Sequence, residues 1–257
     1  MKQREEKISV LTAYDYPTAM LEDRCGVDVI LVGDSVGMAV LGYENTIPVT
    51  LEEIVHHLRA VARARPRALL VGDLPFMSYQ ASPQDAVRNA GRLVKEGGAE
   101  AVKLEGGRRM ARVLSAIADA DIPVMGHLGL TPQSVHHFGG YRVQGKGDEG
   151  ASRLLEEARF LEEVGCFSIV LEGIPYPLAG RITDAVSIPT IGIGAGPNCD
   201  GQVLVVNDIL GLNDEFEPRF VKRYAELGKE MARAFEEYVA DVKAGRFPDL
   251  DHSYSDD

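Results

Sequence analysis

The sequence predicts an α/β fold of the (β/α)8 TIM-barrel type, and three observations point there. Eight short apolar runs punctuate the chain, at 8–14, 27–34, 68–75, 101–106, 122–129, 167–173, 188–196 and 201–208. Helical patterns fill most of the gaps between them. Dividing 257 residues by eight leaves roughly 32 per unit, the size of one strand and the helix that follows it.

The run interiors VDVILVGD, ALLVGDLP, FSIVLEG and GQVLVVND are nearly continuous in Val, Ile and Leu. Parallel strands have this composition because helices bury one face and the barrel interior buries the other. The first helix is expected over about 16–25. Thr50 and Glu53 then form a capping box ahead of Ile54, Leu58 and Val61, and Ser82, Pro83 and Asp85 open a helix that carries Ala86, Ala90, Leu93 and Val94. Further helical stretches cover about 108–120, 151–165 and 176–186. Phe220, Tyr224, Leu227, Met231, Phe235, Tyr238 and Val242 recur at steps of three or four, which predicts a last helix packed on the barrel core, with a subunit contact as the alternative.

A doubly wound open sheet is the rival architecture, but no G-x-G-x-x-G follows the first run. GIGAGPNCDG at 192–201 comes closest, with Cys199 in the slot of the third glycine. It reads as a tight turn between the last two strands, with a phosphate-cradling loop as the alternative. No linker or low-complexity segment divides the chain, so residues 1–257 read as one domain. The stretch TPQSVHHFGGYRVQGKGDEG at 131–150 has no period and exceeds the ~12–15 residues of an ordinary loop, which marks it as a lid or a subunit contact.

Composition excludes several classes. A chain with 45% hydrophobic and 26% charged residues is a soluble globular protein, and none of its apolar runs approaches the ~18 residues of a membrane span. The start, MKQREEKISV, lacks the apolar core of a signal peptide, so a cytoplasmic location is expected. Asp plus Glu outnumber Lys plus Arg by 39 to 27, and the resulting charge of −12 repels phosphate backbones and anionic lipid. Nucleic acid and membranes are therefore not expected partners. With only eight Lys, the balance fits either a high-salt cytoplasm or an Arg-favouring genome. Cys25, Cys166 and Cys199 form no CxxC and are odd in number, so buried reduced thiols are expected rather than a disulfide framework or a zinc site.

In a barrel the chemistry sits at the C-terminal ends of the strands, and Asp34, Asp73, Glu105, His127 and Glu172 each end an apolar run. Asp34 and Asp73 are 39 residues apart, and Asp73 and Glu105 are 32 apart, so the three carboxylates fall on strands 2, 3 and 4. Neighbouring strands lie ~4.8 Å apart, and carboxylates that close repel unless a cation separates them. An all-oxygen set suits Mg²⁺ rather than zinc. Taken singly, an Asp after a strand more simply caps the next helix. Lys103 and Glu105 share a strand face, and since Val102 and Leu104 must face the helices, the charged pair points into the barrel mouth. A buried structural ion pair is the alternative. Glu172 ends strand 6 across the mouth, where a base would face a metal-bound substrate. His127 is either a satisfied core histidine or a site residue, and its strand-end position favours the site as a further substrate contact. The pairs His56-His57 and His136-His137 lack the spacing of a helical metal pair. A carboxylate-held Mg²⁺, an inward Lys and an opposed base suit the binding of a 2-oxo acid and stabilisation of its enolate.

At these residues the chain resembles the ketopantoate (3-methyl-2-oxobutanoate) hydroxymethyltransferase family. Nine stretches carry the resemblance in order: TAYDY at 12–16, LVGDSVGM at 31–38, DLPFMSY at 73–79, VKLEGG at 102–107, GHLGLTPQS at 126–134, FGGYRVQG at 138–145, VLEGIP at 170–175, IGIGAG at 191–196 and DGQVLVVND at 200–208. The resemblance implies a barrel of the phosphoenolpyruvate/pyruvate superfamily. It also implies transfer of a hydroxymethyl unit from 5,10-methylenetetrahydrofolate to 3-methyl-2-oxobutanoate, giving 2-dehydropantoate for pantothenate and coenzyme A biosynthesis through a Mg-stabilised enolate. Carried over residue by residue, it implies Asp34, Asp73 and Glu105 at one Mg²⁺ per subunit, Ser35, Lys103 and the two aspartates as 2-oxo acid contacts, and Glu172 as proton acceptor. Homo-oligomers, commonly decamers, are implied as well. The chain departs from many members in having only about ten residues before TAYDY, which bears on how the barrel's bottom closes. Two other readings are a 2-oxo acid lyase that needs no folate and a catalytically silent barrel that binds or assembles.

Overall fold

The computed structural model describes residues 1–140, 142–213 and 218–255; Tyr141, within both the 131–150 stretch and FGGYRVQG, lies outside them. Eight parallel strands close into a barrel in chain order: β1 (Ile8–Thr12), β2 (Val29–Val32), β3 (Leu69–Asp73), β4 (Ala101–Glu105), β5 (Val124–Gly129), β6 (Ser168–Glu172), β7 (Thr190–Ile193) and β8 (Gly201–Leu204). Each lies inside one of the eight apolar runs. The seam closes where β1 pairs with β8, Ile8 opposite Gly201 and Val10 opposite Val203.

Alternation along each strand sorts its side chains. Val10, Leu31, Val71, Ala101, Met125 and Val170 belong to the interior cluster. Ile30, Leu70, Val102, Leu104, Ile169 and Leu171 occupy the opposite face and are equally buried. Both faces are thus apolar, which is why the runs read as continuous.

Capping sets the helix starts where the sequence places them. Thr50 Oγ1 accepts from the Glu53 N–H at 3.2 Å while Glu53 Oε2 accepts from the Thr50 N–H at 2.7 Å, and Leu51–Ala62 begins there. Ser82 caps Pro83–Arg92 through the Asp85 N–H at 3.1 Å, and Asp15 caps Tyr16–Cys25 through the Thr18 N–H at 2.8 Å. Boundaries without such caps drift. The stretch expected at 151–165 is helical over Gly147–Glu163, and the stretch at 108–120 divides into a 3₁₀ turn, Arg108–Met110, and a helix, Ala111–Ala118. The helix that Ser82 opens runs on from Arg92 into a π-helical turn, Leu93–Gly97, which carries the expected Leu93 and Val94, whereas the short helix Val36–Ala39 has no apolar period that announces it.

At the bottom of the barrel the N-terminal turn Lys2–Arg4 is pinned to the chain ahead of β7 and β8. Lys2 Nζ donates to Thr183 O at 2.9 Å and Ile188 O at 3.0 Å and lies 3.0 Å from Asp200 Oδ2. One ammonium thus meets two carbonyls and a carboxylate at this end.

The chain divides into two compact units, Met1–Val205, which holds all eight strands, and Val206–Asp257. In the second, the expected last helix spans Leu227–Lys243 and holds no buried residue. Of the stripe's residues on this helix, Phe235 and Tyr238 are 61% and 59% exposed. The period identifies an apolar face without identifying what covers it. Cys166 and Cys199 are buried and free as expected, but Cys25 is exposed, because it sits in the last turn of its helix just before Gly26. Among the described residues no helix is long and apolar enough to cross a membrane.

A Cβ at Gly201 would lie 2.4 Å from Ile8 O and 2.7 Å from Ile191 Cδ1, so the closing seam has no room for a side chain. Gly201→Ala is therefore expected to lower stability by about 1–3 kcal/mol or more, read as a lower urea midpoint at unchanged slope. A wild-type midpoint would show that the seam tolerates a looser approach.

Candidate active site

The inner face of each strand decides what the open end of the barrel presents. Above Val71, Ala101, Met125 and Val170, the next inward positions are Asp73, Lys103, His127 and Glu172, with Glu105 one step above Lys103. Parallel register sets Asp73 opposite Lys103 and Glu105 opposite His127. Lys103 Nζ lies 2.7 Å from Asp73 Oδ2, both side chains being almost fully buried. Asp34, in the turn after β2, donates its backbone N–H to the same Asp73 oxygen at 3.4 Å, and its own Oδ2 accepts from Gln133 Nε2 at 2.9 Å. The Ser35 hydroxyl is 2.8 Å from that of Tyr14, whose carbonyl lies 2.7 Å from His57 Nδ1. Across the mouth, His127 Nε2 stands 3.1 Å from Glu172 Oε2 and Nδ1 stands 3.6 Å from Glu105 Oε1. The structure thus brings together all six ionisable residues read from the strand ends, and places Ser35 beside them.

Burial and crowding decide their protonation. Burial, reinforced by the charge of Asp73, pushes the Asp34 carboxyl up to about 7, against the pull of Lys103 and the Gln133 amide. Glu105 is raised well above the usual carboxylate range, first by burial and then by Asp34. Burial alone would lower Lys103, but Asp73, Asp34 and Glu105 together outweigh it and keep the ammonium charged. His127 is lowered, chiefly by burial, so its ring is neutral at neutral pH, and neither nitrogen completes a hydrogen bond of good geometry.

Among the described residues no three His, Cys, Asp or Glu side chains assemble by themselves into a metal-binding group. The three carboxylates expected at a metal are interleaved with Lys103 and Gln133, which hold one oxygen each of Asp73 and Asp34. Asp73 Oδ1 and Glu105 Oε1 remain buried without a hydrogen-bond partner. Unsatisfied carboxylate oxygens in excess of positive charge fit Mg²⁺, which uses one or two carboxylates and fills its octahedron with water and substrate oxygens.

The chain matches the family model for ketopantoate hydroxymethyltransferase over residues 1–250. It is 60% identical to the 3-methyl-2-oxobutanoate hydroxymethyltransferase of Geobacter metallireducens, over 99% of this chain and 96% of that one. The chain belongs to the ketopantoate hydroxymethyltransferase family. A second family member, from Moorella thermoacetica, is 58% identical over 99% of this chain and 94% of its own length. Solved structures with the same fold include 2,3-dimethylmalate lyase, a member of the PEP mutase/isocitrate lyase superfamily, with TM-score 0.61 and 17% identity over 99% of this chain and 89% of that one. Phosphonopyruvate hydrolase in complex with oxalate and Mg²⁺ gives TM-score 0.63 and 11% identity over 97% and 89% of the two chains. At these identities the likeness concerns the fold.

Strand-end reasoning missed the residues that reach the barrel mouth from loops: Gln133, Tyr79 and Tyr14. None ends an apolar run, and only their presence in the TPQS, DLPFMSY and TAYDY stretches marks them. The 131–150 stretch, expected as a lid or a subunit contact, opens with a 3₁₀ turn, Pro132–Ser134, that buries Gln133 against the carboxylates. His57 holds the Tyr14 carbonyl, while His136 and His137 are exposed.

Asp34 and Glu105 bind protons more tightly in the folded chain than in the unfolded one, so raising pH strips protons that favour the folded state. Metal-free protein is expected to lose stability as pH rises from about 4 toward about 7, and added Mg²⁺ to restore more of it at pH ~8 than at pH ~5. Glu22, buried in Tyr16–Cys25 and pushed up to about 8, gives a trend of the same sign, whereas the lowered His127 gives the opposite one below about 6.5, set against the two raised carboxyls. The thermal melts therefore belong in a Glu22→Gln background. Melting temperatures that rise with pH in the metal-free protein would contradict this electrostatic reading.

Proposed function

We propose that this chain transfers a hydroxymethyl unit from 5,10-methylenetetrahydrofolate to 3-methyl-2-oxobutanoate, using Glu172 as base and one Mg²⁺ held by Asp34 and Asp73 with Glu105 beside them. The reaction is that of the 3-methyl-2-oxobutanoate hydroxymethyltransferases and serves pantothenate biosynthesis. The observation that carries the assignment of roles is the division of the mouth into two halves. On one side lie Asp34, Asp73 and Lys103; on the other, Glu172 stands at the end of β6 with its carboxylate against neutral His127.

A 2-oxo acid carries a carboxylate and a keto oxygen, and its enolate gathers negative charge on that oxygen. Lys103, held protonated by the carboxylates around it, supplies a fixed positive charge toward such a group. Ser35 offers a hydroxyl at the mouth, oriented by Tyr14. When bound, Mg²⁺ supplies Lewis-acid neutralisation of the charge that develops on the keto oxygen. Glu172 is only partly buried, at 15% side-chain exposure, and it takes the C3 proton of 3-methyl-2-oxobutanoate with His127 Nε2 standing 3.1 Å from its carboxylate. The C3 carbanion equivalent then forms a C–C bond to the one-carbon unit as that carbon's two C–N bonds to the folate break; water supplies the hydroxyl oxygen, and tetrahydrofolate leaves with its nitrogens protonated. The lyase reading has no support beyond fold likeness. We also propose a homo-oligomer, commonly a decamer in this family; the uncovered apolar face of Leu227–Lys243 supports assembly.

Proton removal does not need the folate. In D₂O with Mg²⁺ and oxo acid alone, the wild type is expected to exchange the C3 hydrogen, and Glu172→Gln to slow this by about 10²–10⁴-fold while still binding the oxo acid. Product should form only when methylenetetrahydrofolate is added. Exchange at the wild-type rate in Glu172→Gln would move the base to another residue, with His127 the first to examine.

A further inference from the structure

Gln133 is 4% exposed and sits where segments from four strands meet above the barrel. Its side chain uses its whole hydrogen-bonding capacity. Nε2 donates to Asp34 Oδ2 at 2.9 Å and to Leu74 O at 3.0 Å, and Oε1 accepts from the Tyr79 hydroxyl at 2.9 Å and from Gln80 Nε2 at 3.1 Å. Its backbone N–H donates to Glu105 Oε2 at 3.1 Å. The Tyr79 hydroxyl in turn accepts from the Glu105 N–H at 3.2 Å. The amide cannot turn over, because its oxygen would then face a carboxylate and a carbonyl.

From this arrangement we propose that Gln133 is a positioning residue that aims the carboxylates of Asp34 and Glu105 at the cation site, an inference that rests on the metal reading above. From the loop side, the Gln133 amide grips one oxygen of Asp34, and the backbone N–H of the same residue, which Gln133→Met and Gln133→Asn retain, grips one oxygen of Glu105. Glu105 thereby keeps Oε1 without a partner, as Asp73 keeps Oδ1 while Lys103 holds its Oδ2. The two grips differ in kind. Lys103 cancels the charge of Asp73, whereas a neutral amide orients Asp34 and leaves its charge for a ligand. No other side chain does the same work here: Asn is one methylene short, Glu would set a further carboxylate against Asp34, and Met matches the length without any donor or acceptor.

The test uses Gln133→Met and Gln133→Asn in the full chain. Mn²⁺ is titrated into each by electron paramagnetic resonance without oxo acid, beside thermal melts and steady-state kinetics. Partners that orient ligand groups typically contribute about 10–100-fold in metal affinity or turnover. Both variants are expected to weaken Mn²⁺ binding by about that factor and to lower kcat more than they raise KM. Asn89→Leu is the control: it removes an amide donor 2.6 Å from Ser78 O in the same loop region but touches neither carboxylate, so it should lower the melting temperature and leave Mn²⁺ affinity unchanged. If Gln133→Met does not fold, Gln133→Asn decides by the same criterion. Wild-type Mn²⁺ affinity in a folded Gln133 variant, whatever its melting temperature, would overturn the proposal and leave Gln133 a loop anchor. A wild type that binds no Mn²⁺ would overturn the metal reading and this inference together.

Discussion

Four carboxylates, Asp34, Asp73, Glu105 and Glu172, crowd the mouth of this barrel, and among the described residues Lys103 is the cation that meets them, 2.7 Å from Asp73. Charges of one sign cannot be desolvated together without protons or counter-ions. The raised Asp34 and Glu105, the permanently charged Lys103 and the neutral His127 are all consequences of that imbalance. In the function proposed above, protons on such carboxylates would give way to a divalent cation and a 2-oxo acid.

The barrel makes the imbalance tolerable by rigidity. Asp73, Lys103, Glu105, His127 and Glu172 stand on strands whose lower inward positions are packed by Val71, Ala101, Met125 and Val170, which fixes the backbone that carries them. The seam at Gly201 brings β8 against β1 closely enough to complete the ring. The groups that come from loops need other anchors. Thus Asp34 depends on Gln133, and Ser35 depends on Tyr14 and, behind it, His57.

How much of this the sequence discloses follows from where each residue sits. Strand residues are legible because the period of two assigns their face: with Val102 and Leu104 committed outward, Lys103 and Glu105 had to point inward, and they do. Helix starts with side-chain caps, at Thr50 and Ser82, are legible for a similar local reason. Gln133 was not, since its partners lie up to 99 residues away and no period governs a loop. The apolar stripe of Leu227–Lys243 was half legible: its helix is real, but a period marks an apolar face without saying what covers it.

The central claim is that protons stand in for a cation among these carboxylates. Calorimetric titration of Mg²⁺ with 3-methyl-2-oxobutanoate at pH ~6, in two buffers of different ionisation enthalpy, counts the protons exchanged on binding. The account predicts net release, because Asp34 at about 7 is largely protonated before the ion arrives, and it predicts less release from Asp34→Asn. Binding with no proton released, or with protons taken up, would contradict it.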